Sequence, residues 1–347
     1  MRAIEPVAEA DRCPLCASTH IVEDSTPEPN LYSEKLAELL EQDEDRLLEQ
    51  HRNWRCSRCG LVFKRRWFSD EVIGALFSGV VGAHPKGWDA VGERFCSAEF
   101  RRTVQRWSDA LAESAKPETR RAERELLSIV GAISDPAGFD RPSVLQAIQS
   151  GDVAAVRTAE PVVAASITQP VAFTRFNGFR SQRLWEYLQS RTGGFDHYAE
   201  LGCPLWGLLP LAAASGVRAT YLRRQEVNYW GDACITTGEQ CSSRLLRDTR
   251  IGSAVWGEPQ RYPIVGVFQY LDHPRAPSLF LRELFDKADA AAIILDAMDS
   301  PVAVQHMTGW TEACLDYVAR LHGKRLHSDF EDIRASGNRL FLLTEGR

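Results

Sequence analysis

Hydrophobic positions follow different rhythms in different parts of the chain. From residue 195 onward, short apolar runs alternate with segments of helical spacing. The pattern predicts strand Tyr198–Leu201, helix Leu208–Ala214, strand Arg218–Leu222, a mixed segment, then strand Pro263–Phe268. Helix Ala276–Phe285, strand Ala291–Leu295, helix Glu312–Leu321 and strand Arg339–Thr344 follow. Strands alternating with helices imply right-handed crossovers and a parallel sheet, here expected to carry an antiparallel edge at its end. The stretch His197–Gly216, HYAELGCPLWGLLPLAAASG, supplies the first strand, turn and helix, and the rest of the sheet is built onto it. In doubly wound sheets the crevice beyond the carboxyl ends of such strands binds nucleotide-like ligands.

Upstream of the sheet the period is helical. Phe100, Val104, Trp107 and Leu111 recur at spacings of four, three and four, one apolar stripe of an amphipathic helix. A second helix is expected over Glu118–Ile133, burying Ala122, Leu126, Ile129 and Ile133, and Pro142 sits in the first turn of a third. Another is expected over Ser181–Ser190, with Leu184, Tyr187 and Leu188 on one side and Gly193-Gly194 as its stop. These helices carry no catalytic signature, and residues 76–194 read as a helical insertion or cap.

The first 75 residues have a different organisation. Cys13-Pro-Leu-Cys16 and Cys56-Ser-Arg-Cys59-Gly60 are two tight cysteine pairs with strand-like residues around the second. Two such turns place four thiolates at the corners of a tetrahedron, the donor set of a structural zinc, and leave no open position for a substrate. An iron site, or knuckles that bind nothing, are the alternatives. Between the pairs, Leu31–Gln50 places Leu36, Leu39, Leu40, Leu47 and Leu48 at roughly helical spacing, with acidic residues between them. This acidic helix, 31–50, is either a docking surface for a protein partner or a solvated face. The chain therefore reads as three domains: a zinc-ribbon module (1–75), the helical insertion (76–194) and a Rossmann-like sheet (195–347).

Charge and composition narrow the classes. A net charge of -6 gives no basic footprint for nucleic acid. No stretch approaches the ~18 apolar residues of a membrane span, and the opening MRAIEPVAEADR lacks the apolar core of a signal peptide, so a cytoplasmic location is expected. Paired cysteines fit metal ligation in a reducing compartment better than a disulfide framework.

Three segments then carry a resemblance. Glu200-Leu201-Gly202-Cys203 is similar to the start of an E-x-G-C-G-x-G loop, Gln269-Tyr270-Leu271-Asp272-His273-Pro274 to a segment ending in L-x-H at the tip of the fourth strand, and Gln305–Thr311 to a later histidine-containing turn. Residues 195–347 thus resemble class I S-adenosylmethionine-dependent methyltransferases, and the CPLC and CSRCGLVF segments resemble the zinc ribbon of bacterial sugar C-methyltransferases. The resemblance implies S-adenosylmethionine held by Glu200, Gly202 and Gly207, and a small-molecule acceptor such as a sugar nucleotide or secondary-metabolite intermediate.

The chain departs from that pattern where the cofactor would sit. Pro204 and Trp206 replace the second and third glycines of the loop, with Gly207 one residue late. At the end of the second strand the family uses a carboxylate for the ribose hydroxyls. Arg223 stands there, a donor that cannot accept, with Glu226 three residues on and an alternative preference for phosphate. For acid–base work, His273 and Tyr270 are best placed, with Asp272 and His306 behind them. His273 could instead cap the following helix, and Tyr270 could simply pack. Two functions follow: an active methyltransferase, or a methyltransferase-like scaffold or binding subunit that has lost the cofactor.

Overall fold

A computed structural model of the chain describes residues 7–77, 100–101, 103–132, 140–165, 178–202, 208–223, 249–296, 302–304, 306–331 and 338–346. At its centre is strand β6 (His197–Gly202), whose six residues are almost entirely buried. A strand covered on both faces need not alternate, and here Tyr198, Ala199 and Leu201 are buried together with the polar His197 and Glu200.

β6 pairs in parallel with β7 (Arg218–Arg223) on one side and β9 (Tyr262–Phe268) on the other. Beyond β7 lies β8 (Ile251–Val255), and beyond β9 lies β10 (Ala288–Asp296), both parallel. The order is completed by β13 (Asn338–Glu345) and β12 (Lys324–His327), giving β12-β13-β10-β9-β6-β7-β8. This is a doubly wound, Rossmann-like sheet, and the chain reverses direction across it between β6 and β9.

Two features of the sheet correct the sequence reading. The antiparallel strand β13 is not the edge: it lies inside, paired to β10 and to the short outer strand β12. Neither β12 nor β8 was foreseen. Both are edge strands whose mixed exposed and half-buried residues lack the apolar run on which the reading relied.

Each face of the sheet has its own core. On one, Tyr198, Ile264, Phe268 and Ile294 pack against the helices Gly178–Thr192 and Leu208–Ala214. On the other, Leu201, Val267, Ile293 and Leu295 meet the helices Pro277–Lys287 and Glu312–Leu321. The four cysteines, Leu61 and Phe63 belong to this second core or pack against it, so the amino-terminal module is built into it rather than tethered to it.

That module is a small antiparallel sheet of β2 (Ile21–Ser25), β3 (Asn53–Cys56) and β4 (Val62–Lys64). Its fourth strand, β11 (Thr308–Gly309), comes from the far end of the chain and pairs with β4. The 31–50 segment is two helices rather than one. Leu31–Leu40 ends at Glu41, whose left-handed backbone (φ 52°) breaks the helix, and Asp43 caps a second, Glu44–Gln50. Leu36, Leu47 and Leu48 bury against Val72, Ile73 and Val304.

The central helices form a separate core around Trp107, Leu126, Val130, Ile148 and Val156. The observed helices Lys116–Ala132 and Arg141–Ser150 match those expected, with Asp140 capping the latter and a proline in its first turn. Gly178–Thr192, by contrast, packs on the sheet.

Candidate functional site

The ribbon brings together the four predicted cysteines. Cys13 Sγ lies 3.6 Å from Cys59 Sγ, Cys16 Sγ lies 3.5 Å from Cys56 Sγ, and all four sulfurs fall within 4.8 Å of one another. Ligands about 2.3 Å from a tetrahedral zinc stand about 3.8 Å apart, so both donor set and spacing fit such an ion. The backbone turns needed at each knuckle are in place: Ala17 (φ 56°) and Gly60 (φ 75°) adopt left-handed conformations immediately after Cys16 and Cys59.

The carboxyl ends of β6, β7 and β9 lie side by side at the switch point of the sheet, where open parallel sheets form their ligand crevice. Gly202 ends β6 with φ 102°, and a Cβ there would stand 2.4 Å from the Phe268 carbonyl oxygen and 3.2 Å from Tyr270 Cβ. The neighbouring strand alone therefore demands glycine, whether or not a ligand approaches. Arg223 ends β7 with its side chain exposed, and its carbonyl accepts from Trp256 N at 2.7 Å. Of the other loop residues, Cys203, Pro204, Trp206, Gly207 and Glu226 lie outside the described residues.

Glu200 does not face the crevice. It is fully buried in β6, and Tyr198 Oη donates to its Oε2 at 2.8 Å. Gly266 on the adjacent strand makes room for this phenol, because a Cβ there would lie 2.4 Å from Tyr198 Oη. Burial raises the Glu200 carboxyl from an ordinary 4.5 to about 8, so it is largely protonated at neutral pH.

Beyond β9 the chain makes a strained turn. Gln269 has φ 52°, an unusual conformation for a non-glycine residue, held by Gln269 N donating to Ile294 O and Nε2 donating to Asn338 Oδ1 at 2.6 Å. Tyr270 is 3% exposed, with its ring 5.2 Å from that of Phe280. Asp272 and His273 are also buried, His273 at 1%. His306 lies beside them: its Nε2 is 3.3 Å from Asp272 Oδ2, and His273 Nε2 is 3.7 Å from Asp272 Oδ1.

Burial pushes the Asp272 carboxyl up, with His306 opposing the shift, and pushes the His273 imidazole well below its usual range, with His306 adding to the effect. His273 is therefore neutral at physiological pH.

Backbone bonds staple this cluster. Asp272 O accepts from Met307 N at 2.9 Å and Thr308 N at 3.0 Å, and Trp310 Nε1 donates to Leu271 O at 3.1 Å. From the ribbon, Lys64 N donates to Met307 O, and the fully buried Lys64 Nζ donates to Val302 O and to Asn53 Oδ1. Desolvation pulls the Lys64 ammonium down to about 7. The sequence reading missed Lys64 and Gln269. Lys64 ends its strand and opens the basic run Lys64-Arg65-Arg66, so nothing local marks either residue.

No protein-family model and no curated protein matches the chain. Among solved structures it is similar to magnesium protoporphyrin IX methyltransferase (ChlM) from Synechocystis PCC 6803 with bound SAH. That match has 11% identity over 50% of this chain and 86% of that one, with a TM-score of 0.37. It is also similar to the methyltransferase domain of a bacterial Hen1, at 14% identity over 48% and 97% with a TM-score of 0.34. For the glycopeptide N-methyltransferase MtfA the identity is 11% over 48% and 90%, with a TM-score of 0.34. No helix among the described residues is long and apolar enough to cross a membrane.

Proposed function

We propose that the chain is an S-adenosylmethionine-dependent methyltransferase acting on a small-molecule acceptor, of the sugar-nucleotide or secondary-metabolite kind, with a structural zinc held by Cys13, Cys16, Cys56 and Cys59. The observation that carries this reading is the arrangement at the switch point. Gly202 closes β6 beside Arg223 on one neighbour, and the chain leaving the other runs directly into the Asp272–His273–His306 cluster. Open parallel sheets bind ligands at this position, and the motif resemblance falls on the same residues.

In this reading Gly202 and Gly207 let backbone approach the methionine end of the cofactor, Glu226 accepts from the ribose, and Arg223 faces an anionic group. Bound there, S-adenosylmethionine supplies an electrophilic methyl group. The chain's own contribution is orientation of the acceptor in line with that methyl, which can account for much of the rate acceleration. His273, neutral and next to Asp272, accepts the proton that the acceptor loses, with Tyr270 in support.

Two observations favour a second reading. The residue at the ribose position is an exposed arginine, and Glu200 is turned into the core against Tyr198. A methyltransferase-like scaffold or binding subunit needs no cofactor contacts at either place, and the acidic 31–50 segment would be its docking face for a protein partner.

Calorimetric titration of zinc-replete protein with S-adenosylmethionine and S-adenosylhomocysteine separates the two. The enzyme reading expects micromolar affinity, about -8 kcal/mol. Absence of heat with either ligand, confirmed by an unchanged melting temperature, would sink it in favour of the scaffold.

A further inference from the structure

We propose that Asp272, His273 and His306 together bind a divalent first-row transition-metal ion, at a site separate from the four-cysteine ribbon. Two of the ligands are neighbours in sequence at the tip of β9, and the third comes from the segment that enters β11. Their donor atoms lie within 4.8 Å of one another, with His306 Nε2 3.3 Å from Asp272 Oδ2 and His273 Nε2 3.7 Å from the other carboxylate oxygen, Oδ1. Nitrogen and oxygen donors at about 2.1 Å from one ion stand about 3.0 Å apart on an octahedral edge and about 3.4 Å apart on a tetrahedral one. The cluster is therefore within small side-chain rotations of coordination geometry. The two imidazole rings are nearly perpendicular, at 87° with centroids 5.1 Å apart, so their nitrogens can converge on one point without the rings colliding.

Burial gives a second, independent reason. Asp272 is 4% exposed, and among the described residues no hydrogen bond reaches its Oδ1. Its ion-pair partners there are the two histidines, with no lysine or arginine. A carboxylate removed from water is costly unless it is fully paired or coordinates a metal. The staples from Met307 N and Thr308 N to Asp272 O hold both ligand segments in register, so the donors are brought together without the ion.

Imidazole and carboxylate donors suit zinc, iron(II), cobalt(II) and manganese(II), and three protein ligands leave coordination positions open. This marks the site as chemically different from the closed thiolate set. An acceptor hydroxyl bound at an open position has its pKa lowered by the ion and gives its proton to solvent, which leaves His273 a ligand instead of the base it is in the metal-free reading. Ion binding itself requires neither cofactor nor acceptor, and in that respect the inference stands apart from methyl transfer.

The test is cobalt(II) titration of the metal-stripped full-length chain, followed by absorption spectroscopy and by metal analysis of the gel-filtered product. We expect two equivalents per chain. One carries intense thiolate-to-cobalt charge transfer. The other shows only the weaker visible bands of a nitrogen and oxygen set. His306→Ala and Asp272→Asn should each retain the first and lose the second, with circular dichroism unchanged. Saturation of the native chain at one equivalent with thiolate bands alone would overturn the proposal, as would a second equivalent that survives both substitutions. Because no cofactor is added, failure to bind S-adenosylmethionine leaves this result standing, and the loss of the second metal leaves cofactor affinity to be judged by itself.

Discussion

Two residues of β6, Gly202 and Glu200, are constrained by their neighbours whether or not a ligand binds. At Gly202 the left-handed backbone and the Phe268 carbonyl 2.4 Å from any Cβ act together. Gly202→Ala is therefore expected to destabilise the free protein by about 3 kcal/mol or more, combining strain and overpacking. Urea unfolding without any ligand measures this, and a loss below 1 kcal/mol would show that the strands give way freely. Glu200 makes a pH-dependent contribution of definite sign. Its folded pKa, about 8, lies above the ordinary 4.5, so the folded state keeps a proton that the unfolded chain releases. Stability from this group is fully present below pH 4.5 and is lost progressively as pH rises toward 8. The loss at pH 7 is about 3 kcal/mol as an upper figure. Between pH 5 and 8 the urea midpoint of Glu200→Gln should accordingly fall less than that of the native chain; parallel slopes would refute the assignment.

At the scale of elements, the decisive contact is the pairing of β11 with β4. The segment that carries His306 is bonded on one side to Asp272 and on the other to the ribbon, through Lys64 N, Lys64 Nζ and the strand pairing itself. A metal bound by the four cysteines would hold His306 in place at a distance, because β3 runs into the second knuckle and β4 leaves it. Stripping the ribbon metal, or Cys56→Ser, should abolish hydrogen-exchange protection at 306–309 while amides of β9 and β10 stay protected. Unchanged protection at 306–309 would mean that the contacts to Leu271 and Asp272 suffice alone. The same scale explains an error of reading: Leu31–Gln50 has helical spacing throughout, but Glu41 and Asp43 split it, and a short polar break inside a leucine-rich run is invisible to periodicity.

Across the whole molecule, the elements legible in the sequence are those with a strong apolar run or stripe, β7 included although both its ends are exposed. β6, β9, β10 and β13 are covered on both faces and appear as apolar runs; the helices Leu208–Ala214 and Glu312–Leu321 occur with the bounds expected. The cysteine pairs were legible for a different reason, since four thiols at two fixed short spacings have few structural uses. Edge strands β8 and β12 were not, because one-sided contact leaves no strong pattern. Sequence by itself thus determined the alternation of strands and helices, the amphipathic helices ahead of the sheet and the four cysteines that the ribbon brings together. Only the tertiary structure decided that Glu200 turns inward, that the ribbon takes a strand from the end of the chain, and that His306 meets Asp272 and His273. Those three facts depend on contacts between residues far apart in sequence, and local spacing encodes which face a residue presents but not what it will meet there.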